Sequence, residues 1–237
     1  PFIIEEGGFY FIYSTHSDGV ACFSSPTLSA FQYRGLVLEV PGQKEFWAPS
    51  VIKIGKKFYM YYSSLPEEET DVHQQRIKVA VADDPLGPFV YQCDLLPPFS
   101  IDPHVVRHKD SLYIFYSVND YEAERAGTYI ALDRMVDPFH VEGKPVGILR
   151  PTLDEEIFAR ERFKKGQDWH TIEGAFYFNR GKHHYLMYSG GSYQNDSYFI
   201  GYGHAYGNVA DLRELQFRKY PDDHTYSPLV SKNDAFE

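Results

Sequence analysis

Nothing in this chain constrains its fold more than an aromatic six-residue pattern that occurs four times, at residues 9–14, 58–63, 112–117 and 184–189. Its aligned tyrosines, Tyr10, Tyr59, Tyr113 and Tyr185, stand 49, 54 and 72 residues apart. Each copy follows a turn signal: Gly7 with Gly8, Gly55 to Lys57, Lys109 with Asp110, and Arg180 to Lys182. Aromatic and β-branched residues after such a turn read as a buried strand leaving a hairpin. A short apolar strand precedes each turn (2–4, 50–52, 104–106, 175–177) and a third follows (19–22, 77–81, 128–132, 198–202). A fourth falls near 34–40, 89–96, 139–149 and 214–220. Four strands per unit, repeated, are the arithmetic of a β-propeller, whose small sheets bury their faces against one another. The expected fold is all-β, with four-stranded antiparallel blades at about 1–47, 48–101, 102–172 and 173–237 of one propeller domain. Residues 152–165 read as an insertion between the third and fourth blades, with a candidate helical turn or two.

Composition narrows the function. The formal charge of −10 argues against a nucleic-acid or anionic-membrane partner, because both require a clustered positive face. No run approaches the length of a membrane span and no leader is visible at Pro1, where a trimmed start is expected. Cys22 and Cys93 are too few for a disulfide framework and lack zinc-site spacing, so both are expected to be free. The 17% aromatic content suits strands and carbohydrate-facing surfaces.

In a propeller the first strand of every blade lines the axis, so residues at its start converge although they are distant in sequence. Counting back from the repeated tyrosine puts Ala48 and Asp102 at minus 11 and Glu173 at minus 12. Blade one, counted likewise, runs off the chain, and the residue matching Asp102 would precede Pro1. Asp84 and Asp137 also stand before prolines, but after the third strand, where a turn is expected. Glu173 lies in a largely apolar stretch and is followed by Gly174, which permits close approach of a ligand. Two carboxylates in an aromatic-walled pocket are what glycosidic cleavage needs. Trp47 is a candidate sugar-stacking residue, and His16, Phe46, His104, Trp169 and His170 are pocket candidates by position. For each of these the bland reading, a core or inter-blade residue, stays open.

These residues resemble glycoside hydrolase family 43, the five-bladed propellers acting on arabinose- and xylose-containing glycans. The likeness rests on Pro1-Phe2-Ile3-Ile4, Trp47-Ala48-Pro49-Ser50-Val51, Ser100-Ile101-Asp102-Pro103-His104-Val105, and Glu173-Gly174-Ala175 leading into residues 185–191. The resemblance implies that Glu173 is the general acid and that Asp102 adjusts the acid's pKa and orientation. It makes the general base an Asp just upstream of Pro1, and places Trp47 in the sugar subsite. Ala175 stands where the family more often has Pro, and about four of five blades are expected here, so the chain reads as an interior piece of a longer enzyme. An oligo- or polysaccharide is the implied partner. No cofactor is required and no metal ligand is assigned; a central cation such as calcium is a family feature with no assignable ligand in this chain. The rival readings are a propeller that binds glycans without cleaving them, and a related propeller glycosidase acting on fructosides or mannosides.

Overall fold

The computed structural model describes residues 1–231, which form nineteen strands in two compact units. The first unit is Pro1–Val106 with Met135–Val141, and the second is Arg107–Arg134 with the chain from Glu142 onward.

The first unit holds two antiparallel meanders. One is β1 (Phe2–Glu6), β2 (Phe9–Thr15), β3 (Val20–Ser25) and β4 (Gln32–Leu38); the other is β5 (Gln43–Ile54), β6 (Lys57–Pro66), β7 (Arg76–Ala82) and β8 (Val90–Asp94). Strand β9 (Ile101–His108) carries the chain across the unit boundary. Strands β10 (Ser111–Asp120) and β11 (Gly127–Asp137) follow; the end of β11 pairs with β12 (His140–Val141) inside the first unit. The second unit continues with β13 (Val146–Leu149), β14 (Ile157–Lys164), β15 (Gln167–Arg180), β16 (His183–Gly190), β17 (Phe199–Tyr206), β18 (Arg218–Lys219) and β19 (Val230–Ser231). Its strand order runs β18-β17-β16-β15-β11-β10. The four predicted aromatic strands are β2, β6, β10 and β16.

Burial explains their composition. In β6 the six consecutive residues from Met60 to Leu65 are all buried, Ser63 and Ser64 among them, so this strand is covered on both faces. A tyrosine buried there needs a partner for its hydroxyl. Tyr61 donates to the Pro138 carbonyl at 3.0 Å and Tyr13 to that of Pro85 at 2.8 Å. The two Asp-Pro turns therefore have structural work. Asp84 and Asp137 each accept the backbone N–H two residues on, at 2.8 and 2.7 Å, as Asx turns do.

Two expected segments gain detail. Residues 152–165 contain one 3-10 turn, Asp154–Glu156; the remainder is strand β14, hairpinned onto β15 with Lys164 opposite Gln167. A left-handed Gly166 (φ 78°) closes that tight turn, which a helix would not permit. The fourth strand of the third blade is two pieces, β12 and β13. Between them the Asp133 carboxylate accepts the backbone N–H groups of Gly143 and Lys144, turning the chain away from the ladder.

Where β11 runs parallel to β15, Gly127 faces His170, and a Cβ on Gly127 would lie 2.1 Å from the His170 carbonyl oxygen. Gly127→Ala is expected to cost about 1–3 kcal/mol by overpacking, read as a lower urea midpoint.

Candidate active site

A left-handed kink recurs at one register of the repeat. Ala48 (φ 43°), Asp102 (φ 54°) and Gly174 (φ 66°) each precede the aligned tyrosine, Tyr59, Tyr113 or Tyr185, by eleven residues. The ladder slips at the same place, between Trp47 and Ser50 in β5 and between Glu173 and Phe176 in β15. Positive φ at a non-glycine residue costs of order 1–2 kcal/mol, and such strain persists at sites where it aims a side chain. The register also refines the sequence count. Gly174, rather than Glu173, shares the backbone position of Asp102, and Glu173 stands immediately before the kink.

In the first unit, Asp102 is half-buried in β9 and His104, two residues on, is buried with its ring 5.5 Å from that of Phe2. Trp47 and Ala48 are half-buried in β5; the Trp47 indole N–H donates to Glu45 Oε2 at 3.0 Å, and the Ala48 N–H donates to Thr15 Oγ1 at 3.0 Å. His16 and Phe46 meet through a backbone bridge, with N–O distances of 3.2 and 3.0 Å. Their side chains part company. The His16 ring is exposed and accepts the Asp18 N–H, whereas Phe46 is fully buried and stacked on Tyr62 at 5.5 Å. Phe46 is thus a core residue, because a ring with no accessible surface cannot meet a sugar.

In the second unit, Glu173 is half-buried and pairs with Ser189 across β15 and β16. Its Oε1 accepts the Tyr198 hydroxyl at 3.0 Å. Tyr198 ends the loop between β16 and β17, and that loop is tied shut. The Ser192 N–H donates to Ser197 Oγ at 3.1 Å and the Ser197 N–H to Asn195 Oδ1 at 2.9 Å. Gly191 (φ 81°) leaves no room for a side chain, since a Cβ would lie 2.6 Å from the Ser197 carbonyl oxygen. Sequence reasoning reads Tyr198 as the first residue of a third strand; only the loop closure reveals what its hydroxyl reaches.

Upstream on β15, Trp169 is 3% exposed, packed beneath Tyr121 and Phe163 at centroid distances of 4.9 and 4.8 Å. It supports other rings rather than facing solvent. His170 is buried beside it, with Nε2 accepting from the Arg125 guanidinium at 3.0 Å and Nδ1 donating to the Ala126 carbonyl at 3.2 Å. Burial pushes the His170 pKa down, and the Arg125 charge adds to that effect, so the imidazole is neutral. Arg125 is held in turn by Asp154 at 2.7 Å.

Asp102 belongs to the first unit and Glu173 to the second, and each is described within its own unit. Among the described residues no three His, Cys, Asp or Glu side chains gather where a metal ion could be held. No helix among them is long and apolar enough to cross a membrane.

Four-stranded antiparallel meanders with a left-handed kink at one register of the repeat, Asp102 at one kink and Glu173 just before another, are the sheets of a β-propeller fold. The family model of the glycosyl hydrolases of family 43 matches residues 1–213, and the chain belongs to that family. It is 28% identical to a xylosidase/arabinosidase of Humicola insolens, over 65% of this chain and 57% of that protein. It is 26% identical to an extracellular exo-α-(1→5)-L-arabinofuranosidase of Streptomyces chartreusis, over 70% of this chain and 49% of that protein. The chain thus spans about half the length of these curated relatives. Among solved structures, a thermostable family-43 glycoside hydrolase superposes with a TM-score of 0.76 at 28% identity, over 93% of this chain and 71% of that one. An α-L-arabinofuranosidase from Lactobacillus brevis gives a TM-score of 0.75 at 20% identity, over 92% and 71%, and shares the fold.

Proposed function

We propose that the protein is a glycoside hydrolase that cleaves arabinose- or xylose-containing glycans by an inverting acid–base mechanism. The observation that carries this reading is Glu173, a half-buried carboxyl beside an inner-strand kink, with one oxygen pinned by the Tyr198 hydroxyl. Tyr198 holds Oε1 in place, and the carboxyl gives its proton to the departing oxygen. The family resemblance gives Asp102, at the kink of β9, the role of holding the acid's pKa up and its orientation fixed. The same resemblance makes the water-activating carboxylate an Asp aligned just ahead of Pro1. That carboxylate takes a proton from water as the hydroxyl adds to the anomeric carbon, and the leaving oxygen departs with the proton from Glu173. The names of the relatives support arabinose and xylose as the sugars.

The test is the configuration of the first-formed sugar, followed by NMR during hydrolysis of pentosides by the intact enzyme. Inversion at the anomeric carbon is expected; retention overturns the mechanism, and binding without turnover makes the protein a glycan-binding propeller.

Tyr198→Phe probes the pinned oxygen. A hydrogen bond to the ionised carboxylate favours that form, so its loss raises the pKa of Glu173 and moves the alkaline limb of the kcat/KM profile to higher pH. Loss of orientation lowers the plateau about tenfold, the worth of one hydrogen bond to a charged group. An unmoved limb would reduce Tyr198 to a packing residue.

A further inference from the structure

The second unit carries a row of rings for which the chemistry above has no use. Tyr193, 60% exposed, packs on Phe158 at 6.0 Å. The Arg162 guanidinium lies over Phe158 and Phe163 at 4.6 and 4.9 Å. Phe163, 50% exposed, meets Trp169 edge-on at 4.8 Å, and Trp169 carries Tyr121, 47% exposed, at 4.9 Å. Folding gains nothing by leaving three large rings in water, and a contiguous exposed apolar patch marks a surface that meets something.

Its position says what. Trp169 stands four residues before Glu173 on β15, and Tyr193 sits in the same closed loop whose last residue, Tyr198, holds the Glu173 carboxyl. The row is therefore fastened to the candidate acid at two points, through a strand and through a hydrogen-bonded loop. A general acid touches the oxygen that departs, so the departing saccharide is the part of the substrate that the strand and loop carrying these rings are set to meet. We infer that Tyr193, Phe163 and Tyr121, backed by Phe158 and Trp169, form a subsite for the leaving-group side of a neutral glycan chain. Sugar rings present C–H faces that stack on aromatic rings, and the flat Arg162 guanidinium offers N–H donors to their hydroxyls. The inference rests on the hydrolase reading and extends it by assigning the leaving-group sugars to this particular row of rings.

The experiment compares Tyr193→Ala, Phe163→Ala and Tyr121→Ala with the intact parent enzyme. It uses arabino- and xylo-oligosaccharides of increasing length alongside aryl pentosides, whose leaving group is too small to reach the row. Each substitution is expected to lower kcat/KM on the longer oligosaccharides about three- to tenfold, the range that one ring contact supplies. The same variants should keep aryl pentoside turnover within about twofold, which also shows that they fold; Tyr193→Phe should restore oligosaccharide rates. Calorimetric titration of the Glu173→Gln protein with an oligosaccharide reads binding without turnover, and each ring variant should weaken it by the same factor. If the enzyme hydrolyses pentosides but the ring variants neither slow nor weaken any oligosaccharide, the subsite is overturned and the hydrolase reading stands. A protein that hydrolyses no pentoside overturns the hydrolase reading, and the titration still tests the row. Variants that instead change the oligomeric state show that a second copy covers the rings, and the inference fails.

Discussion

Glu173→Gln is expected to lower kcat on substrates with poor leaving groups, such as natural oligosaccharides, by about 10²- to 10⁴-fold, the range of a positioned general acid. The amide keeps the shape of the carboxyl, and its oxygen can still accept from Tyr198 at the 3.0 Å seen for Oε1. It cannot release a proton to the departing oxygen. An aryl pentoside whose phenol departs readily as the anion needs little help, so its turnover should fall by no more than about tenfold. The measurement is the slope of log kcat against leaving-group pKa across an aryl series, expected to be shallow in the parent and steep in the variant. Equal losses along the series would mean that Glu173 positions the sugar or holds the fold, and the acid would have to be sought elsewhere. Asp102→Asn should act differently. It leaves the acid in place and removes the charge that the proposed mechanism assigns to raising the acid's pKa, so the alkaline limb of the pH profile moves down.

The register of Asp102 in the repeat was legible because the repeat itself is legible. Aligning the tyrosines was enough to find Ala48 and Asp102 at one register, and the backbone answers with the same left-handed kink at both. Glu173, counted at minus 12, stands one residue before its kink, opposite Ser189 as Trp47 stands opposite Ser63. Other features depend on partners far along the chain. The four aromatic strands look alike in sequence, yet β6 is buried on both faces while β2 and β16 alternate, because burial is decided by what each sheet packs against. Trp169 drew attention as a sugar-facing ring, but the turn at Gly166 folds β14 back so that Phe163 covers it. The charge-rich residues 157–164 carry no strong strand signal. They become a strand because β15 offers an edge to pair with.

The other large effect expected is on stability. Glu156 and Lys219, 63 residues apart, form an ion pair with side chains 0% and 2% exposed. Every part of it is satisfied. Glu156 Oε2 accepts the backbone N–H groups of Thr152 and Leu153 at 2.7 and 3.0 Å, while Lys219 Nζ also donates to Thr152 Oγ1 at 2.9 Å and sits 5.6 Å from the centre of the Tyr188 ring. Burial lowers the Lys219 pKa, and the Glu156 charge works against that shift. The pair therefore fastens the Asp154–Glu156 turn, from which β14 departs, to the short strand β18. Glu156→Ala strands a buried ammonium and two backbone donors, and should cost about 3–5 kcal/mol, a large share of the ~5–15 kcal/mol typical of a folded domain. Chemical denaturation should show a lower midpoint at an unchanged slope. The discriminating control is the double variant Glu156→Leu with Lys219→Met, which removes both charges and fills the space. A buried pair offsets its own desolvation only partly, so this variant should be more stable than either single charge deletion and should approach the parent. A double variant that loses the sum of the two single losses would show that the ions act independently, and the clasp would have to be reassigned to the backbone contacts of Thr152 and Leu153.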